Sequence, residues 1–212
     1  MIDVLGERQQ ALMKLLLGKK RQGFTIDELG EKLGITRTAV KQHLVVLERA
    51  GCVEHGTLQA SGGRPRRTYR LTGKGYDFFP KQYSWFSEAI LEAVRKEKGP
   101  EGLLALMDQL GNAVSSGLKA QLGDGSAAEK VRKTAELMNQ LAYEAQVAPP
   151  VGKNALPAIE ATNCVYHALA ARFPEVCQFD LALLANLTGA TPVHEKCIVK
   201  GSDVCRFRFE KR

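Results

Sequence analysis

The chain has 212 residues, 44% of them apolar and 25% charged, a balance that excludes disordered, fibrous and membrane-spanning classes. Thirty basic against 23 acidic side chains leave +7, too little on its own to separate a polyanion-binding surface from a solubility device. Distribution is more telling: residues 1–80 hold 14 basic and 8 acidic side chains, a net +6, whereas residues 81–212 hold 16 and 15, a net +1. The opening residues lack the basic segment and apolar core of a signal peptide, and no apolar run nears the roughly 20 residues that cross a bilayer. The expectation is a cytoplasmic protein with no membrane partner.

Val4, Leu5, Ala11, Leu12 and Leu15 to Leu17 fall at near-helical spacing, which predicts a first amphipathic helix over residues 4–17. Thr25-Ile26-Asp27-Glu28 has the form of a capping box and opens a short helix through Leu29 and Leu33, stopped by Gly34. Thr36 then caps a helix from Arg37 to Ala50, with Gly51 just past its end. Two helices joined by a tight Gly-containing turn have the form of a helix-turn-helix. In the second, Val40, Leu44 and Leu47 face the core, so Arg37, Thr38, Lys41 and Gln42 point outward, where a recognition helix meets double-stranded DNA. The bland alternative is an ordinary solvated helix face.

Val53 to Gln59 and Thr68 to Thr72 read as strands. The Ser61–Arg67 turn between them carries Arg64, Arg66 and Arg67. A hairpin after a helix-turn-helix is a wing, and arginines there suit phosphates or a narrow minor groove.

Five aromatics (Phe78, Phe79, Tyr83, Trp85, Phe86) fall within nine residues, and the helix they begin continues through Ile90, Leu91 and Val94. Such density suits packing onto the winged helix or a homodimer interface, and a twofold axis is how a helix-turn-helix usually reads an inverted-repeat operator. Gly99-Pro100 interrupts the pattern. Leu103, Leu104, Leu106, Met107 and Leu110 give a further helix reaching Leu122, and Gly123–Ser126 is a turn before a helix from Ala127 to Leu141. Residues 146–152 suit a short strand and turn.

Four of the five cysteines (Cys164, Cys177, Cys197 and Cys205) crowd the last 49 residues. In a reducing compartment such clustering favours metal ligands or redox thiols over disulfides. The spacing C-x12-C-x19-C-x7-C is neither a zinc ribbon nor a ferredoxin run, so it does not choose the metal. Cys164 follows a strand around Ala158, Ile159 and Ala161. Tyr166 to Arg172 reads as helical, and Pro174 starts a helix that holds Cys177 near its N-terminus. Pro192 to Val199 and Val204 to Phe209 read as paired strands, with Cys205, Phe207 and Phe209 on one inward face. Cys52, beside Gly51, is expected to be a core thiol. The metal reading competes with buried cysteines as plain core residues, with a structural zinc site and with a thiol redox sensor.

Thr38-Ala39-Val40-Lys41-Gln42-His43-Leu44 with Leu47-Glu48-Arg49-Ala50-Gly51 resembles the recognition helix of ArsR- and MarR-like winged-helix regulators. Gly63-Arg64-Pro65, Tyr69-Arg70-Leu71-Thr72 and Gly75 are similar to the wing and exit of a subgroup that includes SufR-type repressors of iron–sulfur cluster assembly genes. Asn163-Cys164, Pro174-Glu175-Val176-Cys177, Cys197, Gly201, Cys205 and Phe207 are similar to the sensing domain of the same regulators. The resemblance implies an iron–sulfur cluster, commonly [4Fe–4S], on the late cysteines. The family's middle cysteine lies closer to the second than Cys197 does, so the fourth ligand stays open among Cys197, His194, His167 and a small molecule.

The expected fold is α+β, in three parts: a winged helix over residues 1–79, a helical connector and dimerisation segment over 80–122, and a cysteine-rich sensor over 123–212. No nucleotide loop, acid/base carboxylate pair or Ser/His/Asp arrangement stands out, so an enzyme is not expected.

Overall fold

A computed structural model describes residues 5–59, 65–150 and 155–211. The chain divides into two compact units, Met1–Gln82 and Tyr83–Arg212, each with its own core. Apart from its first three residues, the segment expected to connect and dimerise lies within the second unit, together with the four late cysteines.

In the first unit, α1 (Glu7–Gly18), α2 (Ile26–Leu33) and α3 (Arg37–Arg49) surround an apolar centre of Leu12, Met13, Leu16, Leu29, Val40, Leu44 and Leu47. The capping box at α2 forms as its spacing predicts: the Glu28 N–H donates to Thr25 Oγ1 at 3.3 Å, and the Thr25 N–H donates to Glu28 Oε2 at 2.7 Å. Gly34 ends α2 at φ 63°, a conformation that favours glycine, and the Thr36 hydroxyl accepts from the Ala39 N–H to start α3. β2 (Val53–Gln59) and β3 (Arg66–Leu71) form an antiparallel hairpin. A two-residue β1 (Phe24–Thr25) pairs with β3 on its other side, and a short α4 (Gly73–Asp77) follows. Neither β1 nor α4 was expected. Cys52 is buried in this core, as expected of it.

β3 begins two residues earlier than its sequence suggests. Arg66 pairs with Gln59 and Arg67 with Leu58, so both arginines belong to the strand rather than to the turn. Ladder hydrogen bonds continue further up the hairpin than the apolar pattern does. Ser61 to Arg64, with the glycines expected at the tip, lie outside the described residues.

The second unit opens with α5 (Tyr83–Leu118), helical throughout except at Gly99, whose φ of 69° turns the chain sharply before Pro100. The turn brings Ile90 and Leu91 to the same groove as Met107 and Leu110. The helix ends at Leu118 rather than Leu122, with a 3-10 turn over Lys119–Gln121. α6 (Ala127–Gln140), α7 (His167–Arg172) and α8 (Cys177–Thr188) pack with a four-stranded antiparallel sheet in the order β4 (Ala145–Ala148), β5 (Ala158–Ala161), β7 (Cys205–Glu210), β6 (Thr191–Lys196). Gly111 lets α5 and α8 touch backbone to backbone: a Cβ there would stand 2.5 Å from the Phe179 carbonyl oxygen.

β7 alternates as its sequence predicts. Cys205, Phe207 and Phe209 are buried in the core, while Arg206 and Arg208 turn outward to Glu160, Glu195 and Glu210. β6 stops at Lys196, short of the expected Val199, because Ile198–Lys200 coil into a 3-10 turn. Cys197 therefore lies just beyond the strand and is not paired with Cys205 in a ladder.

Candidate metal centre and nucleic-acid interface

Four elements each deliver one cysteine to the same region of the second unit. Cys164 follows β5, Cys177 opens α8, Cys197 follows β6 and Cys205 opens β7. Cys177, Cys197 and His194 are closest, their ligand atoms all within 4.8 Å of one another. The charge of Cys197 acts on Cys164, Cys177 and Cys205 and raises the pKa of each. The Cys205 sulfur accepts the backbone N–H of Ile198 at 3.4 Å. Such bonds orient and stabilise thiolate ligands.

Burial pushes the Cys177 thiol up to about 12 and the Cys205 thiol up to about 11, with Cys197 adding to both, and burial also raises Cys164. Without a positive partner these groups stay protonated. A bound metal ion would draw off their protons and become the largest charge in the site.

His194 has the chemistry of a ligand. Burial, with the Lys200 charge, lowers its pKa and keeps the imidazole neutral. Its ring stacks on Phe207 at 4.6 Å, and its Nε2 is buried without a hydrogen-bond partner. An unpaired buried nitrogen is costly unless something outside the protein satisfies it. The residues present thus fit a thiolate-bound metal or cluster, on the orphaned Nε2 and the converging thiols alike. His167, exposed at the start of α7, does not join the group.

Sequence reasoning missed the acid beside the site. Asp180 sits one helical turn after Cys177, and burial lifts its carboxyl to about 6 even though the Tyr143 hydroxyl donates to it at 2.6 Å. Its charge reaches Cys164, Cys177 and Cys205 and raises all three. The spacing to Cys177 is the one signal that pointed to it, because Tyr143 is 37 residues away.

In the first unit, Val40, Leu44 and Leu47 anchor α3, and Arg37, Thr38, Lys41 and Gln42 are exposed on it. Arg37, Arg66 and Arg67 line a cleft of about 230 Å³ with Thr25, Asp27 and Tyr69. Asp27 accepts from both Arg37 and Arg66, the latter at 2.8 Å. Arg64 lies outside the described residues.

Residues 8–64 match the family model described as "HTH domain". The first unit carries an HTH domain. With the β2–β3 hairpin behind it, this HTH domain is a winged helix, which points to a DNA-binding transcriptional regulator and not to an enzyme. Among solved structures, the chain is similar to a mutant of S. aureus MepR bound to an oligodeoxyribonucleotide. That match has 19% identity, covers 65% of this chain and 78% of that one, and has a TM-score of 0.32, too low to extend the HTH assignment. No curated protein matches the chain. Among the described residues, no helix is long and apolar enough to cross a membrane.

Proposed function

We propose that this chain is a cytoplasmic, homodimeric repressor whose HTH domain binds an inverted-repeat operator, and whose affinity for DNA depends on an iron–sulfur cluster held by Cys164, Cys177, Cys197 and Cys205. By resemblance, its targets are iron–sulfur cluster assembly genes. The observation that carries the reading is the meeting of Cys177 and Cys197 with His194, whose Nε2 is buried and unpaired, while Cys164 and Cys205 lie close enough to Cys197 for its charge to raise their pKa values. Bound there, a [4Fe–4S] cluster would supply redox and oxygen sensitivity. The protein's part is to hold thiolates, exclude water and donate N–H groups to sulfur.

On the DNA side, Arg37, Thr38, Lys41 and Gln42 of α3 meet base edges and phosphates along the major groove, while Arg64, Arg66 and Arg67 of the wing contact phosphates. The segregation of +6 into the first 80 residues supports this division, since the outward arginines of β7 are already neutralised by Glu160, Glu195 and Glu210. Tyr83, Phe86, Ile90, Leu110 and Val114 leave apolar surface on α5 at 42–71% exposure, which favours association with a second copy.

One observation favours a second reading. His194 among thiols offers the mixed sulfur–nitrogen set that tetrahedral zinc prefers. Anaerobic purification and reconstitution, with iron, sulfide and zinc counted per chain, tests both. Iron and sulfide together with a visible charge-transfer band are expected. Zinc alone would transfer the site to the second reading, and neither metal after reconstitution would overturn both.

A further inference from the structure

The cleft between α3 and the wing contains a carboxylate in a place where a DNA-binding surface gains least from one. Asp27, the second residue of α2, accepts from Arg37 Nη1 through Oδ1 and from Arg66 Nη1 through Oδ2. The two arginines come from different elements, α3 and β3, and are 63% and 56% exposed, whereas Asp27 is 28% exposed. Two adjacent guanidinium groups repel each other. A carboxylate between them allows both to stand side by side, with one oxygen assigned to each. Asp27 is itself fixed, because the Thr25–Glu28 capping box on either side of it closes the start of α2.

Each guanidinium has five N–H donors, and the Asp27 contact uses one of them. Four donors on each remain, and both arginines line the cleft that Arg67 also lines. A backbone phosphate has the same bidentate demand as a carboxylate: two oxygens on one centre and a single negative charge. Two arginines and one aspartate leave a net +1 before Arg67 is counted, a match for one phosphodiester.

We propose that Asp27 is a positioning residue that joins Arg37 and Arg66 into one two-pronged seat for a single phosphate of duplex DNA, spanning the recognition helix and the wing. This rests on the DNA-binding reading above and goes beyond it: the two arginines act as a unit, and the acid is what makes them one.

The test is a double-mutant cycle read by fluorescence anisotropy with a fluorescein-labelled 30-base-pair mixed-sequence duplex at fixed salt. A charge-assisted phosphate contact is worth roughly tenfold in affinity or more. Arg37→Ala and Arg66→Ala should therefore each weaken binding about tenfold, and the double variant should be only about 10–20-fold weaker, not the ~100-fold of independent contacts. In an Asp27→Asn background the two effects should multiply, and Asp27→Glu should restore the coupling. A purely structural role for Asp27 would shift the melting temperature and leave the coupling unchanged. Multiplicative effects in the wild-type background overturn the proposal, as does coupling that survives Asp27→Asn. The wild-type cycle decides even if Asp27→Asn fails to fold. If the wild-type protein binds no duplex at all, the DNA reading falls, and this proposal with it.

Discussion

Replacing Gly111 with alanine sets two terms of opposite sign against each other. Alanine is the better helix former by about 0.8–1.0 kcal/mol, so an exposed glycine in mid-helix would gain from the change. Gly111 is not exposed. Its new Cβ would stand 2.5 Å from the Phe179 carbonyl oxygen, 2.8 Å from the Ala182 Cβ and 3.1 Å from the Leu183 nitrogen. Two of these three neighbours are backbone atoms of α8, so no rotamer change relieves the contact and the helices must separate. Overpacking of this kind costs about 1–3 kcal/mol and more against backbone, which leaves a net loss of about 2 kcal/mol after the helix gain. For a unit of this size that is a fall of roughly 8 °C in melting temperature. α8 begins with Cys177, two residues before Phe179, so the same displacement should loosen the Cys177–His194–Cys197 group and weaken metal retention. Calorimetry with a chelator-competition assay reads both. A Gly111→Ala protein that melts at or above the wild-type temperature would refute the close α5–α8 approach.

Glu28→Ala should cost about 1 kcal/mol at neutral pH by opening the capping box, measured by urea denaturation. Partial burial pushes Glu28 up, but the Lys19 ammonium at 2.8 Å and the Thr25 bonds outweigh it, so its pKa lies below the ordinary carboxylate value. A depressed acid stabilises the fold fully above its ordinary pKa and loses that contribution as the pH falls through its folded value. The gap between wild type and Glu28→Ala should therefore close below about pH 4. Arg67→Ala should flatten the plot of log affinity for duplex DNA against log salt by about one unit, the signature of one lost phosphate contact. His194→Ala, which leaves all four thiols in place, should lower zinc affinity at least tenfold in a competition titration if His194 is a ligand; unchanged affinity would make it a core histidine.

Local chemistry was readable and long-range assembly was not. Thr25 and Glu28 are three residues apart, so the capping box and the start of α2 could be taken from four letters. The inward face of β7 follows from the alternation of Cys205, Phe207 and Phe209, and the sharp turn follows from Gly99-Pro100. β1 was invisible, because two residues, Phe24 and Thr25, become a strand only by pairing with Tyr69 and Thr68. Arg66 and Arg67 were assigned to the turn since charged residues look like loop; the ladder to Gln59 and Leu58 decides otherwise. At the candidate metal centre the four cysteines could be named from their clustering in the sequence. The central place of His194 and the nearness of Asp180 could not, for both depend on how β6 and α8 pack, which no local periodicity encodes.

The four cysteines lie on four segments well separated along the chain: the exit of β5, the start of α8, the exit of β6 and the start of β7. An ion bound to all four would act as a cross-link closing three loops at a single point, so binding free energy becomes folding free energy. When it departs, protons return to the buried thiols and each segment is held only by its own packing. Loss of metal should therefore be felt first as softness, with amide exchange quickening at Cys164, Cys177 and Cys197 while the centre of the sheet keeps its protection. What such a sensor would report is the stiffness of its own domain.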